Sequence, residues 1–211
     1  MKLQMAAWIF LVLTARAETF IFDFGTQDSP LHPGAVRVTE AGGDRATWRK
    51  PAARKSHSNP IFREWTEDKR SGKKSPPQVY QNDLTCDYVS SDEANVLNLQ
   101  VPSGPYKLVL FCGRAGGRAE QVWDIRVNRS DKRATFAGPN ELRAIAFDGI
   151  ADAEGLSLSF TARSRWLVNA LIAVPAAEWE ASQKNVIAPL LAECFTLPPE
   201  QMAKWKETPR P

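Results

Sequence analysis

The chain has 211 residues, of which 43% are hydrophobic and 24% charged, and its formal net charge is +3. This is the composition of a globular protein with room for one domain, or one domain and a tail. So small a charge gives no reason by itself to expect nucleic acid, and no apolar run reaches the ~20 residues of a membrane-crossing helix.

Residues 1–17 read as an export signal. Lys2 supplies a short positive region, Ala6 to Leu13 form a short apolar run, and Ala15-Arg16-Ala17 place small residues where a signal peptidase reads them. Cleavage is expected after Ala17, giving a periplasmic, cell-surface or secreted protein that starts near Glu18. No cysteine follows the cut to carry a lipid.

The first strand is expected at Thr19 to Phe24, where Phe20, Phe22 and Phe24 alternate with Ile21 and Asp23. Gly25 ends the run, Ser29-Pro30 and Pro33-Gly34 mark turns, and Val36 and Val38 begin a second strand. Asp23-Phe24-Gly25 has the letters of a kinase metal-binding triplet. A kinase would also need a glycine-rich loop, a strand lysine and a catalytic loop, and only the leader precedes the triplet here.

Residues 40–79 lack periodicity and form a basic insertion. Ten Lys and Arg residues, among them Arg45, Arg49, Arg54, Lys55, Lys73 and Lys74, outnumber the acids two to one, and Trp48, Phe62 and Trp65 lie among them. Such a stretch is a solvated insertion pinned by its aromatic rings, or a surface for an acidic polysaccharide. Export argues against the third alternative, nucleic acid.

Strands then follow at regular spacing: Leu84–Ser90, Ala94–Val101 with Leu97, Leu99 and Val101 inward, and Tyr106–Cys112, apolar on both faces and so expected inside a sheet. Pro102-Ser103-Gly104-Pro105 between the last two has the length of a hairpin turn. Gly113, Gly116 and Gly117 lack the spacing of a phosphate loop and read as a rim loop. Gln121–Asn128, Glu141–Phe147, Leu156–Thr161 and Trp166–Val174 complete the strands. Asn169 is a polar residue in an apolar run and is expected to make structural hydrogen bonds. Beyond Pro175 the spacing turns helical through Val186, Ile187, Leu190, Leu191 and Cys194, with a further short pattern near Met202 and Trp205.

Several of these segments resemble galactose-binding-like β-sandwich modules of the malectin-like type, which commonly accompany bacterial polysaccharide-degrading enzymes. They are F-D-F-G-T…S-P…G…V-T at the start, L-Q-V-P-S-G-P-Y-K-L-V-L-F in the middle, and D-G…G-L-S-L-S-F…W-L-V-N-A-L-I-A-V at the end. The resemblance implies an all-β, jelly-roll sandwich over residues 18–175, and residues 176–211 are then a helical tail or a linker toward a further domain. It implies non-catalytic binding of a polysaccharide or oligosaccharide, beside a downstream or co-secreted glycoside-degrading enzyme.

Sugar binding asks for an aromatic face against the pyranose and polar groups at its hydroxyls. Trp48, Trp65 and Tyr80 in the variable region, with Arg114 and Arg118 in the glycine loop, are the expected contacts, while Trp123 and Trp166 fall on core positions. Catalysis finds less support. His32 and His57 have no partner at metal spacing, no G-x-S-x-G elbow is present, and the carboxylate pairs Asp83/Asp87 and Asp148/Asp152 fall at a strand start and about a turn. A structural calcium ion is frequent in the wider group of such sandwiches, yet no clustered Asp/Asn loop demands one, and no cofactor is expected. A structural or protein-interaction module of a cell-surface assembly is the alternative, and a glycosidase, lyase or esterase the second alternative. Of Cys86, Cys112 and Cys194, at least one is left unpaired within the chain; Cys86 and Cys112 either bridge two neighbouring strands or stay as buried thiols.

Overall fold

A computed structural model of the chain describes residues 18–49, 53–58, 66–67, 74–75, 82–113, 121–128, 130–136, 142–162 and 165–195. The strands are β1 (Phe20–Phe24), β2 (Val36–Val38), β3 (Ala46–Trp48), β4 (Lys55–Ser58), β5 (Thr66–Glu67), β6 (Lys74–Ser75), β7 (Asp87–Ser91), β8 (Asn95–Leu99), β9 (Gly104–Gly113), β10 (Gln121–Val127), β11 (Ser130–Phe136), β12 (Leu142–Ala151), β13 (Leu156–Ala162), β14 (Trp166–Val168) and β15 (Ala170–Pro175). A helical segment follows: a 3-10 turn (Ala176–Glu178), α1 (Trp179–Ser182), a π turn (Gln183–Ile187) and α2 (Ala188–Phe195). Pro189 has no N–H to offer the preceding turn, which is where the helix widens.

Among the described residues, one five-stranded sheet runs β12-β9-β15-β1-β2 and a second runs β11-β10-β13-β8-β3. Their facing sides bury Phe22, Phe24, Leu97, Leu99, Leu108, Leu110, Leu158, Phe160 and Trp166 in one core, so the protein is an all-β sandwich. The two-residue period explains this directly: Phe20, Phe22 and Phe24 of β1, Leu97 and Leu99 of β8, and Leu156, Leu158 and Phe160 of β13 alternate and point inward. The first sheet is buried on its other face as well. There Val109, Phe111, Ile172 and Val174 pack with Ile187 and Leu190 of the helical segment, which places residues 176–195 on the sandwich. That double burial is why β9 and β15 read as continuous apolar runs.

The structure corrects four expectations. Pro102–Pro105 is not a hairpin turn, because β8 and β9 belong to different sheets. It is a corner, held by the Tyr106 hydroxyl on Pro102 O (3.0 Å) and by Ser103 Oγ on Asp152 O (2.8 Å). The strand expected from Leu84 starts only at Asp87, because Asn82 O accepts the amides of Thr85 and Cys86 at 3.0 and 3.1 Å and turns the chain. The strand expected over Trp166–Val174 is two strands. β14 joins a separate three-stranded sheet, β14-β7-β4, and β15 returns to the first sheet. Asn169 sits at the break, fully buried, where its Oδ1 accepts Gly113 N and its Nδ2 donates to Asp87 O, both at 2.7 Å. Finally, the basic insertion is not wholly irregular, since β3 edges the second sheet and β4 edges the third. At three and four residues these strands are too short to show a period.

Cys86 and Cys112 are buried and form no disulfide. Burial, reinforced by Asp87, Asp23 and Asp83, pushes the Cys86 thiol up to about 12. Both are therefore expected to resist a thiol reagent in the native protein and to react once it unfolds; rapid native labelling of Cys86 or Cys112, mapped by peptide mass, would contradict this packing.

Candidate functional site

The third sheet shapes an open cleft of about 380 Å³, lined by Thr26 and Gln27 from the loop after β1, by Glu40, and by Arg54, Lys55, Ser56 and His57 at β4. Pairing with β7 sets Lys55 against Ser90 and His57 against Tyr88, and the imidazole stacks on the phenol ring with centroids 4.8 Å apart. Arg54 is positioned from three sides. Its guanidinium lies 4.6 Å from the Trp48 ring centroid, Nε donates to Glu40 O (2.9 Å), and Nη1 donates to Asn95 Oδ1 (2.8 Å). Ser56 Oγ donates to the Glu40 carboxylate and accepts the Glu40 amide at 3.1 Å.

Beneath Arg54 the aromatic core begins. Trp48 packs 5.9 Å from Trp166 and 6.3 Å from Phe160, and its indole N–H donates to Thr39 O at 2.9 Å. Trp48 is 8% exposed, so the ring expected to stack on a sugar is a core residue that seats Arg54 instead. Its burial follows from the β3 alternation, Ala46 in, Thr47 out, Trp48 in. Trp65, Tyr80, Arg114 and Arg118 lie outside the described residues.

Two buried carboxylates adjoin the cleft. Asp87 Oδ2 accepts the amide of Thr26 (3.1 Å) and the hydroxyl of Ser29, and Asp23 Oδ2 accepts the amide of His32 (3.0 Å). Asp23 is 2% and Asp87 0% exposed, and Oδ1 of each has no hydrogen-bond partner among the described residues. Burial pushes Asp23 up to about 7; the His32 amide opposes this, and the neighbouring Asp87 charge adds to it. Burial likewise pushes Asp87 up to about 6, against the Ser29 and Thr26 hydrogen bonds. Arg37 lowers both and binds the same loop, donating to Thr26 O (2.5 Å), Ser29 O (2.6 Å) and Ser29 Oγ (3.1 Å).

The carboxylate pairs considered from the sequence come out differently. Asp87 acts on Asp23 as well as neighbouring Asp83, while Asp148 is an exposed partner of Lys107 at 2.5 Å and Asp152 Oδ1 accepts the Glu154 amide at 2.8 Å. Among the described residues no three His, Cys, Asp or Glu side chains gather to hold a metal ion, and no helix is long and apolar enough to cross a membrane. Sequence reasoning placed Arg54, Lys55 and His57 in the basic insertion but did not select them, and it passed over Thr26, Gln27, Glu40 and Ser56. The available signal was Asp23, a charge standing between two phenylalanines of an apolar strand.

No protein-family model and no curated protein matches the chain. Several solved structures are similar to it at low identity. A β-glucuronidase of Bacteroides uniformis is 13% identical with a TM-score of 0.46, over 75% of this chain and 18% of that one, so the chain spans under a fifth of it. A plant receptor-like kinase, FER, is 10% identical with a TM-score of 0.47, over 75% and 42%. A family 35 carbohydrate-binding module from an environmental isolate is 14% identical with a TM-score of 0.32, over 62% and 93%.

Proposed function

We propose that the protein is a non-catalytic carbohydrate-binding β-sandwich, exported after loss of residues 1–17 and serving a polysaccharide-degrading enzyme. The observation that carries the reading is the lining of the cleft. Its volume falls within the usual range for small-molecule sites, and its side chains mix donors and acceptors. Sugar hydroxyls do both, and so match Gln27, Thr26 and Ser56, while Glu40 accepts and Lys55 and Arg54 donate. Two cations face one carboxylate in that lining, which favours a sugar bearing a carboxylate or sulfate. Trp65, Tyr80, Arg114 and Arg118 are proposed as further contacts.

Affinity electrophoresis through neutral and acidic polysaccharides at two salt concentrations tests this. Retardation by an acidic glycan is expected to weaken with salt, since exposed charges are screened over about 8–10 Å at physiological ionic strength. Gln27→Ala should weaken binding roughly 2- to 10-fold at either salt, the range for one lost hydrogen bond. Lys55→Ala should matter mainly at low salt. Migration unchanged by every glycan would remove the carbohydrate reading.

A further inference from the structure

The loop of residues 25–35 joins β1 to β2 and carries one wall of the cleft, Thr26 and Gln27. It is held down from beneath by the two buried carboxylates: Asp87 takes the Thr26 amide and the Ser29 hydroxyl, and Asp23 takes the His32 amide. Each carboxylate uses one oxygen for the loop, and the other, buried, has no donor among the described residues. The three loop hydrogen bonds favour the ionised form, but burial outweighs them: an ionised Oδ1 in that position has lost its water and gained no donor, and the charge of Asp87 acts on Asp23 as well. A proton on either one removes a charge and turns an orphan acceptor into a donor.

We propose that Asp23 and Asp87 together form a proton-binding site that latches this loop, closed while the pair holds a proton and loosened when both carboxyls ionise.

The neighbouring groups leave this balance in place. Arg37 of β2 is the cation beside the pair, and it is also bound to Thr26 O, Ser29 O and Ser29 Oγ of the loop. Asp83 adds negative charge from the turn before β7, and the Cys86 thiol stays neutral. Asp28 and His32 ride on the loop itself, and His57 lies on β4 next to Ser58, which pairs with Asp87. Both carboxyls hold their proton more tightly in the folded protein than in the unfolded chain, where the ordinary value is 3.8. Stability is therefore greatest toward acid pH, falls as pH rises toward about 6 to 7, and levels off above.

Melting temperature and backbone amide exchange, measured from about pH 5 to about pH 8, test the latch on the whole chain without any ligand. The wild type should lose roughly 5 °C or more over that range. After correction for base catalysis, the Thr26 and His32 amides should exchange at least about 10-fold faster at the upper end, relative to Leu110 in β9. Asp23→Asn keeps an acceptor for His32 and carries no charge, so it should make both profiles shallower, Asp87 keeping its own share, and Asp23→Asn combined with Asp87→Asn should flatten them. Asp87→Asn alone should likewise make them shallower; if the double variant does not fold the single variants decide, and if none folds the wild-type profiles do. A level wild-type profile overturns the proposal, and so does a slope left undiminished by both Asp23→Asn and Asp87→Asn, because that slope would belong to neither carboxyl. The consequence for ligand rests on the cleft being the sugar site: glycan retardation should drop at the upper pH in the wild type and drop less in Asp23→Asn. No retardation at either pH would refute the cleft reading alone and leave the melting and exchange results to judge the latch.

Discussion

Gly25→Ala should cost a large part of the protein's stability. A Cβ at residue 25 would stand 1.5 Å from Asp87 Oδ2 and 2.0 Å from its Cγ, so the two cannot coexist without movement. The carboxylate has no room to retreat, because it is fully buried and its Oδ2 already binds Thr26 N and Ser29 Oγ. Gly25 is itself fixed by its amide on Val38 O at 3.0 Å. Overpacking of this kind costs ~1–3 kcal/mol and occasionally more. Driving the carboxylate off its donors adds ~1.5–3 kcal/mol for hydrogen bonds to a charged group. A loss of about 3–5 kcal/mol is a large part of the ~5–15 kcal/mol that holds a typical domain together. Urea unfolding reads it as a lower midpoint at unchanged slope. A variant within about 0.5 kcal/mol of the parent, the scatter of an ordinary surface substitution, would mean that Asp87 does not pack against Gly25 as described.

Trp166→Ala should be comparably damaging, for a different reason. Trp166 is the largest of the fully buried side chains, stacked 4.9 Å from Phe160 and 5.9 Å from Trp48, with its indole N–H on Glu93 O at 2.7 Å. Removing it leaves a cavity beside the Phe160 and Trp48 rings and takes from Glu93 O one of its two donors, the other being Asn95 Nδ2 at 2.9 Å. The expected loss is ~3–5 kcal/mol for an aromatic truncated in a core. The variant also carries a functional signature, since Trp48 rests on Trp166 and Arg54 rests on Trp48. On the proposed carbohydrate-binding reading, glycan affinity in the fraction that stays folded should fall with stability. Trp166→Phe restores most of the stack but not the hydrogen bond, and should recover part of both.

The sandwich was legible in the sequence because the alternation of Phe20, Phe22 and Phe24, of Leu97 and Leu99, and of Leu156, Leu158 and Phe160 records which side of each strand meets the core. The two-sided burial of β9 was legible for the same reason, as an apolar run without alternation. What the period does not encode is the partner of each strand. Pro102-Ser103-Gly104-Pro105 demands a turn, yet the same residues serve a hairpin within one sheet or a corner between two. Asn169 marks a change of sheet that depends on where Gly113 N and Asp87 O lie in space. The cleft escaped for a related reason. Its wall on β4 is Lys-Ser-His-Ser, which carries no apolar period, and its other wall comes from the loop after β1. Trp48 was misassigned because a tryptophan among arginines looks like a binding face, whereas here one arginine uses it as a seat.

The pairing of β1 with β15 has a consequence for how the molecule comes to exist. Phe20 to Asp23 lie antiparallel to Ala170 to Ala173, so the middle of the first sheet joins the earliest strand to the latest. Until β15 is present, β1 has only the three-residue β2 beside it, in a parallel pair, and β9 lacks its neighbour on that side. Contacts so distant in sequence form late, because the loop they close must be ordered before they repay it. A chain emerging amino-terminus first, whether from a ribosome or through a membrane pore, must therefore keep its opening phenylalanines uncommitted until nearly the whole sandwich has followed. In such a molecule Phe20, Phe22 and Phe24 are the side chains a chaperone would most usefully hold.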